Sequence, residues 1–142
     1  MKVNYFDLGL GEVNRNHCWE LDQILKFFIK ENIDYNIYGI EASLYSSLVA
    51  KNKYKKNPNI KICNFAISNN EGQIKLYNTK TGINGASIYN SKNNVNKNRY
   101  EIIDGKRFST FLKQEKIDLE NSINIVKINI EDFPNKHAPA EP

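Results

Sequence analysis

Acidic residues and glycines at the ends of short apolar runs are where chemistry would begin in this chain. The first run, Tyr5-Phe6, closes on Asp7 and continues into Leu8-Gly9-Leu10-Gly11. The second, Tyr38-Gly39-Ile40, closes on Glu41. Glycine adopts backbone angles that a side chain forbids, and it leaves nothing to block a ligand. Asp7 is placed to accept hydrogen bonds from amides of the turn, or to meet an amino group through water. Glu41 carries two acceptor oxygens, matching the two neighbouring hydroxyls of an unphosphorylated ribose. On adjacent parallel strands the two motifs describe a nucleoside cradle at the carboxyl ends of a sheet. The same residues also suit a tight strand–helix turn and a solvent-facing strand end, since a third glycine is absent and Val13 stands near its place. Phosphate is not the expected ligand: the phosphate-loop lysine pattern is missing and the turn is acidic.

Such a cradle needs strands and helices in alternation. Residues 3–8 read as a strand. Leu21, Ile24, Leu25, Phe28 and Ile29 then recur at helical spacing and predict one apolar face, with Asn16 as N-cap and Asn32 as the stop. Residues 35–40 predict a second strand, 44–54 a second helix that ends before Pro58, and 60–67 a third strand. The order β-α-β-α-β implies right-handed crossovers and a parallel sheet. Beyond the turn signal Asn69-Asn70-Glu71-Gly72, residues 73–77 alternate as a half-exposed strand, and 79–98 read as a long polar loop. A strand at 100–103, a helix at 108–114 and a fourth main strand at 123–130 complete the pattern. The chain reads as one α/β domain over residues 1–132, with a Pro/Ala-rich tail over 133–142.

Composition narrows the function classes. The chain has 142 residues, 40% of them hydrophobic and 25% charged, which excludes a disordered chain and allows a buried core. No apolar run approaches the ~20 residues that span a bilayer. Met1 leads almost directly into a strand, so no signal peptide is expected and the location reads as cytoplasmic. The net charge of +4 comes partly from the basic runs at 51–56 and 92–99. These read as a solvated helix end and a polar loop, because no zinc-finger, helix-turn-helix or aromatic-basic pattern accompanies them; nucleic acid is not expected as a partner. Cys18 and Cys63 form no disulfide framework, and no Cys/His spacing suits a metal. Cys63 alternates with Ile60 and Ile62 and reads as packing. His137 has no visible chemical partner.

Five blocks in order, Phe6-Asp7-Leu8-Gly9-Leu10-Gly11, Tyr38-Gly39-Ile40-Glu41-Ala42, Asn64-Phe65-Ala66-Ile67-Ser68 with Glu71-Gly72, Gly85-Ala86-Ser87 and Val126-Lys127-Ile128-Asn129-Ile130-Glu131, resemble the FkbM-type methyltransferase family. They span nearly the whole chain. The resemblance implies a Rossmann-like class I methyltransferase, a three-layer sandwich with a mostly parallel sheet, that moves a methyl group from S-adenosylmethionine to a hydroxyl. The acceptor would be a sugar or another small molecule. On that resemblance Asp7, Gly9, Leu10 and Gly11 line the methionine part, Glu41 holds the ribose, and Ala42, Asn64 and Ala66 border the adenine. Asn129 and Glu131 are the candidate catalytic residues.

Two departures from the family pattern carry further expectations. The family's Lys-Ile-Asp-x-Glu-Gly block reads Lys127-Ile128-Asn129-Ile130-Glu131-Asp132 here, so Asn129 would position a substrate and Glu131 would serve as base if burial raised its pKa. Lys127 reads either as part of that chemistry or as a strand residue with a local partner. The chain also stops soon after Glu131, which predicts a fold truncated after the fourth main strand and leaves that strand at a sheet edge. A second copy of the chain is then a candidate cover. The alternative function is a non-catalytic nucleotide-binding or interaction module.

Overall fold

The computed structural model describes residues 1–10, 19–79 and 95–129. Its central sheet is built from β1 (Lys2–Leu8), β2 (Tyr35–Glu41), β3 (Ile60–Asn64) and β7 (Ser122–Ile128), in the order β3-β2-β1-β7 with every pairing parallel. Between them lie α1 (Trp19–Lys30), α2 (Leu44–Tyr54), β4 (Ala66–Ile67), β5 (Gly72–Thr79), β6 (Val95–Lys106) and α3 (Phe108–Gln114). The architecture is α/β with a mostly parallel central sheet, compatible with a Rossmann-like arrangement. Among the described residues no helix is long and apolar enough to cross a membrane.

Two cores sandwich the sheet. Val3 and Tyr5 of β1 and Ile37 of β2 pack with Leu21 and Phe28 of α1 and with Ala50 and Tyr54 of α2. Phe6, Leu8 and Ile40 point the other way and pack with Phe65 and with Phe111 of α3. Alternate residues of a strand face opposite sides, so β1 is buried along residues 3–8. Asn4 is buried with the rest; its amide donates to the Asp118 carbonyl and to Asn124 Oδ1 at 3.1 and 3.0 Å.

Helix α1 ends as Asn32 suggests. That residue has φ 55°, its N–H donates to the Ile29 carbonyl, and the Ile33 N–H donates to the Phe28 carbonyl. This is the left-handed stop that asparagine tolerates better than most residues. Ile29 is a correction: it is 63% exposed. Eight residues at ~100° each carry it about 80° round from Leu21, to the margin of the packed face. Asn16, the expected N-cap, lies outside the described residues, as do Cys18, His137 and the 133–142 tail.

Two further readings change. Residues 60–67 do not form one strand: β3 stays on the central sheet, and β4 leaves it to pair with β6. The break falls at Phe65, whose ring packs against Phe111 at 5.3 Å. Asn64 completes the separation by donating its side-chain amide to the carbonyls of Glu41 and Ala42, both at 2.9 Å. The polar 79–98 segment is also shorter as a loop than expected. Thr79 ends β5 and Val95 begins β6, paired across an antiparallel hairpin with an irregularity after Tyr77. Backbone pairing extends that hairpin past the stretch where side chains alternate. Residues 80–94 lie outside the described residues.

Candidate functional site

The strand order places a topological switch beside β1: the chain adds β2 and β3 on one side, then returns to add β7 on the other. In open α/β sheets the crevice at the carboxyl ends of such strands is where ligands bind. Gly9 follows β1 at that point with φ 89°, in the left-handed region where a Cβ is strained. Its N–H donates to the Ile40 carbonyl at 2.8 Å, pinning the turn to β2. Leu10 then turns inward and is buried. Gly39, to which the sequence assigns no role, makes that possible: a Cβ there would lie 3.1 Å from Leu10 Cδ2 and 2.7 Å from Ile62 Cδ1. Leu10 thus presents its backbone rather than its side chain at the turn.

Asp7 is 1% exposed, a carboxylate in a protein interior. Its Oδ1 accepts from Lys127 Nζ at 3.2 Å, and that ammonium also meets Glu20 Oε2 of α1 at 2.5 Å. Asp7 Oδ2 has no hydrogen-bond partner among the described residues. Burial pushes the Asp7 carboxyl up to about 6, outweighing the lowering effect of the Lys127 charge. Burial opposes the charge on Lys127 too, yet the bond to Glu20 and the charge of Asp7 hold it above its usual range. Lys127 therefore has the local partner that its strand position suggested.

Glu41 is held differently. Its Oε2 accepts the Ser43 N–H at 2.7 Å, and the carboxylate also accepts from the Leu10 backbone. Burial pushes it up to about 7, with the charges of Asp7 and Glu101 adding to the rise. Glu41 thus staples the β1 turn to the start of α2, where Ser43 caps the helix by accepting from the Ser46 N–H at 3.3 Å. Glu101 of β6 accepts from the Leu44 N–H at 3.3 Å and brings the hairpin against the same helix end. Sequence reasoning missed Glu101, because its approach depends on a hairpin register that no local pattern encodes.

The expected site residues separate into groups. Asp7, Gly9, Leu10, Glu41, Ala42 and Asn64 gather at the ends of β1, β2 and β3. Asn64 spends its amide on the backbone of Glu41 and Ala42, so its contribution at the tips is to brace them. Ala66 is buried with Leu76 and Ile103 between the second sheet and Ala42. Asn129 is exposed just past β7, and its N–H donates to the Leu8 carbonyl at 2.8 Å, beside the Gly9 turn. Gly11 and Glu131 lie outside the described residues. No family model, no curated protein and no solved structure matches the chain.

Proposed function

We propose that this chain is an FkbM-type methyltransferase domain that binds S-adenosylmethionine and directs its methyl group to a hydroxyl of a sugar or other small molecule. The observation that carries the reading is the left-handed Gly9 turn at the switch between β1 and β7, with a buried Asp7 carboxylate oxygen that has no partner among the described residues and Glu41 on the next strand tip. A bare backbone bend and an orphaned acceptor suit a ligand with an amino-acid part. Gly9, Leu10 and Asp7 would hold that part, and Glu41 would hold the ribose beside Ala42.

When bound, S-adenosylmethionine supplies a methyl group on a sulfonium, already activated for transfer. The protein's contribution is then alignment of donor and hydroxyl, the effect that makes a bimolecular step behave as an intramolecular one. Asn129, exposed just past β7, would orient an acceptor; an amide is not a base at neutral pH. Proton removal falls to Glu131 in this reading.

The backbone bonds of Glu41 favour a second reading, a non-catalytic nucleoside-binding or interaction module, since that carboxylate has a structural task without any ligand. Calorimetry with S-adenosylhomocysteine tests the shared core of both. Binding is expected, and Glu41→Gln, which keeps the shape but not the charge, should weaken it by roughly 1.5–3 kcal/mol. Unaltered affinity in that variant would remove Glu41 from the ribose. Transfer of a labelled methyl group to a glycan or small-molecule panel then separates enzyme from module.

A further inference from the structure

We propose that Lys127 is a positioning residue: anchored by Glu20, it holds Asp7 Oδ1 and leaves Oδ2 as the acceptor for the ammonium of an amino-acid-bearing nucleoside. The inference rests on the nucleoside reading above and assigns to β7 and α1 a part in it. Asp7 and Lys127 are register partners on adjacent strands, and Glu20 lies in the first turn of α1. The three side chains therefore join β1, β7 and α1 at the carboxyl end of the sheet.

The geometry gives each member one task. A buried carboxylate can be satisfied on both oxygens by local donors, which closes it to a ligand. Here one oxygen is engaged at 3.2 Å and the other is left without a partner among the described residues. Without a fixed cation beside it, a carboxylate this deeply buried takes up a proton and becomes a poor partner for an ammonium. Glu20 balances the second half of the Lys127 charge, so Lys127 does not repel the incoming cation as a bare ammonium would. Among the described residues, the titratable groups around Asp7 are Tyr5 on its own strand, Glu41 on β2, Glu20 on α1 and Lys127 on β7. Lys127 is the cation among them.

Two ligands differing in the relevant group test this on the full chain. S-adenosylhomocysteine carries the ammonium; 5′-methylthioadenosine keeps the nucleoside and thioether but lacks it. Calorimetry should show Lys127→Met losing about tenfold in affinity for the first, the scale of one charge-assisted hydrogen bond, while the second binds unchanged. Lys127→Arg should restore the preference. Wild-type affinity for S-adenosylhomocysteine should rise with pH as Asp7 ionises, and the midpoint of that rise should move upward in Lys127→Met. Equal weakening of both ligands, or an unmoved midpoint, overturns the positioning role while leaving the nucleoside site in place. Wild-type protein that binds neither ligand removes the site and this inference together. If Lys127→Met does not fold, Glu20→Gln decides: its side chain is 61% exposed, and unchanged affinity for S-adenosylhomocysteine in that variant overturns the proposal.

Discussion

Strands β1 and β7 lie side by side in one sheet, with similar apolar content and opposite surroundings. Leu8 is 1% exposed and its register partner Ile128 is 54% exposed. Phe6 and Val126 repeat the contrast at 1% and 44%. The difference does not come from the strands themselves. Strand β1 is flanked by β2 and β7 and covered by helices on both faces, whereas among the described residues β7 pairs on one edge only. A β-branched run reports that a segment suits a pleated surface, while burial depends on what stacks above it. The candidate site follows the same division: the buried strand supplies the constrained carboxylate, and the open one supplies the lysine that pairs with it.

The comparison breaks most visibly at Phe6 and Val126. Truncating Phe6 to alanine removes a ring that stacks on Tyr38 and meets Phe108 edge-on, and is expected to cost about 3–5 kcal/mol in urea denaturation. Val126→Ala, its partner on the open strand, should cost no more than about 0.5 kcal/mol. Equal losses would show that β7 is covered in solution.

Next in size is the pH dependence at the pair that crosses the two strands. Burial raises the folded-state pKa of Asp7 from 3.8 to about 6, so the folded protein holds a proton that the unfolded chain has released. Stability from this group is full below about pH 4 and is lost as pH rises through about 6, a difference of roughly 3 kcal/mol. Glu41 acts in the same direction up to about pH 7. Thermal melts should therefore rise on mild acidification, and Asp7→Asn should flatten the lower part of the slope.

Gly39→Ala tests how the turn is seated. Its Cβ would press on Ile62 and Leu10, and overpacking of that kind costs about 1–3 kcal/mol. The melt should shift and the ligand affinity fall together, because Leu10 sits under the Gly9 bend. The smallest effect is expected from Ile125→Lys on β7, exposed as it stands: within about 0.5 kcal/mol for an isolated chain. Sedimentation at several concentrations sharpens this. A mass that falls in the variant identifies a second copy as the cover for that edge.

Much of the frame was legible in the residues. Helices α2 and α3 occupy the predicted ranges, and strands β1, β2 and β7 lie within a residue or two of theirs. Hydrophobic period and stop residues act locally, so Asn32 ended α1 as read. What failed were features that depend on distant partners. Nothing near Phe65 announces that the chain changes sheets there, because the cause is Phe111 far along the sequence. Thr79 and Val95 read as loop residues because their strand pairing is with each other across the hairpin, which no local pattern encodes.

The site divides along the same line. From sequence alone came the acidic-glycine turn, the carboxylate on the following strand and the parallel order that brings them near each other, since periodicity and the handedness of crossovers are local rules. Tertiary structure decided which oxygen of Asp7 has no partner among the described residues, that Lys127 and Glu20 restrain the other, that Glu41 is already bonded to backbone, and that Ala66 packs inside the second sheet. Those outcomes are set by burial and by which charges meet, and both arise only when separate elements come together.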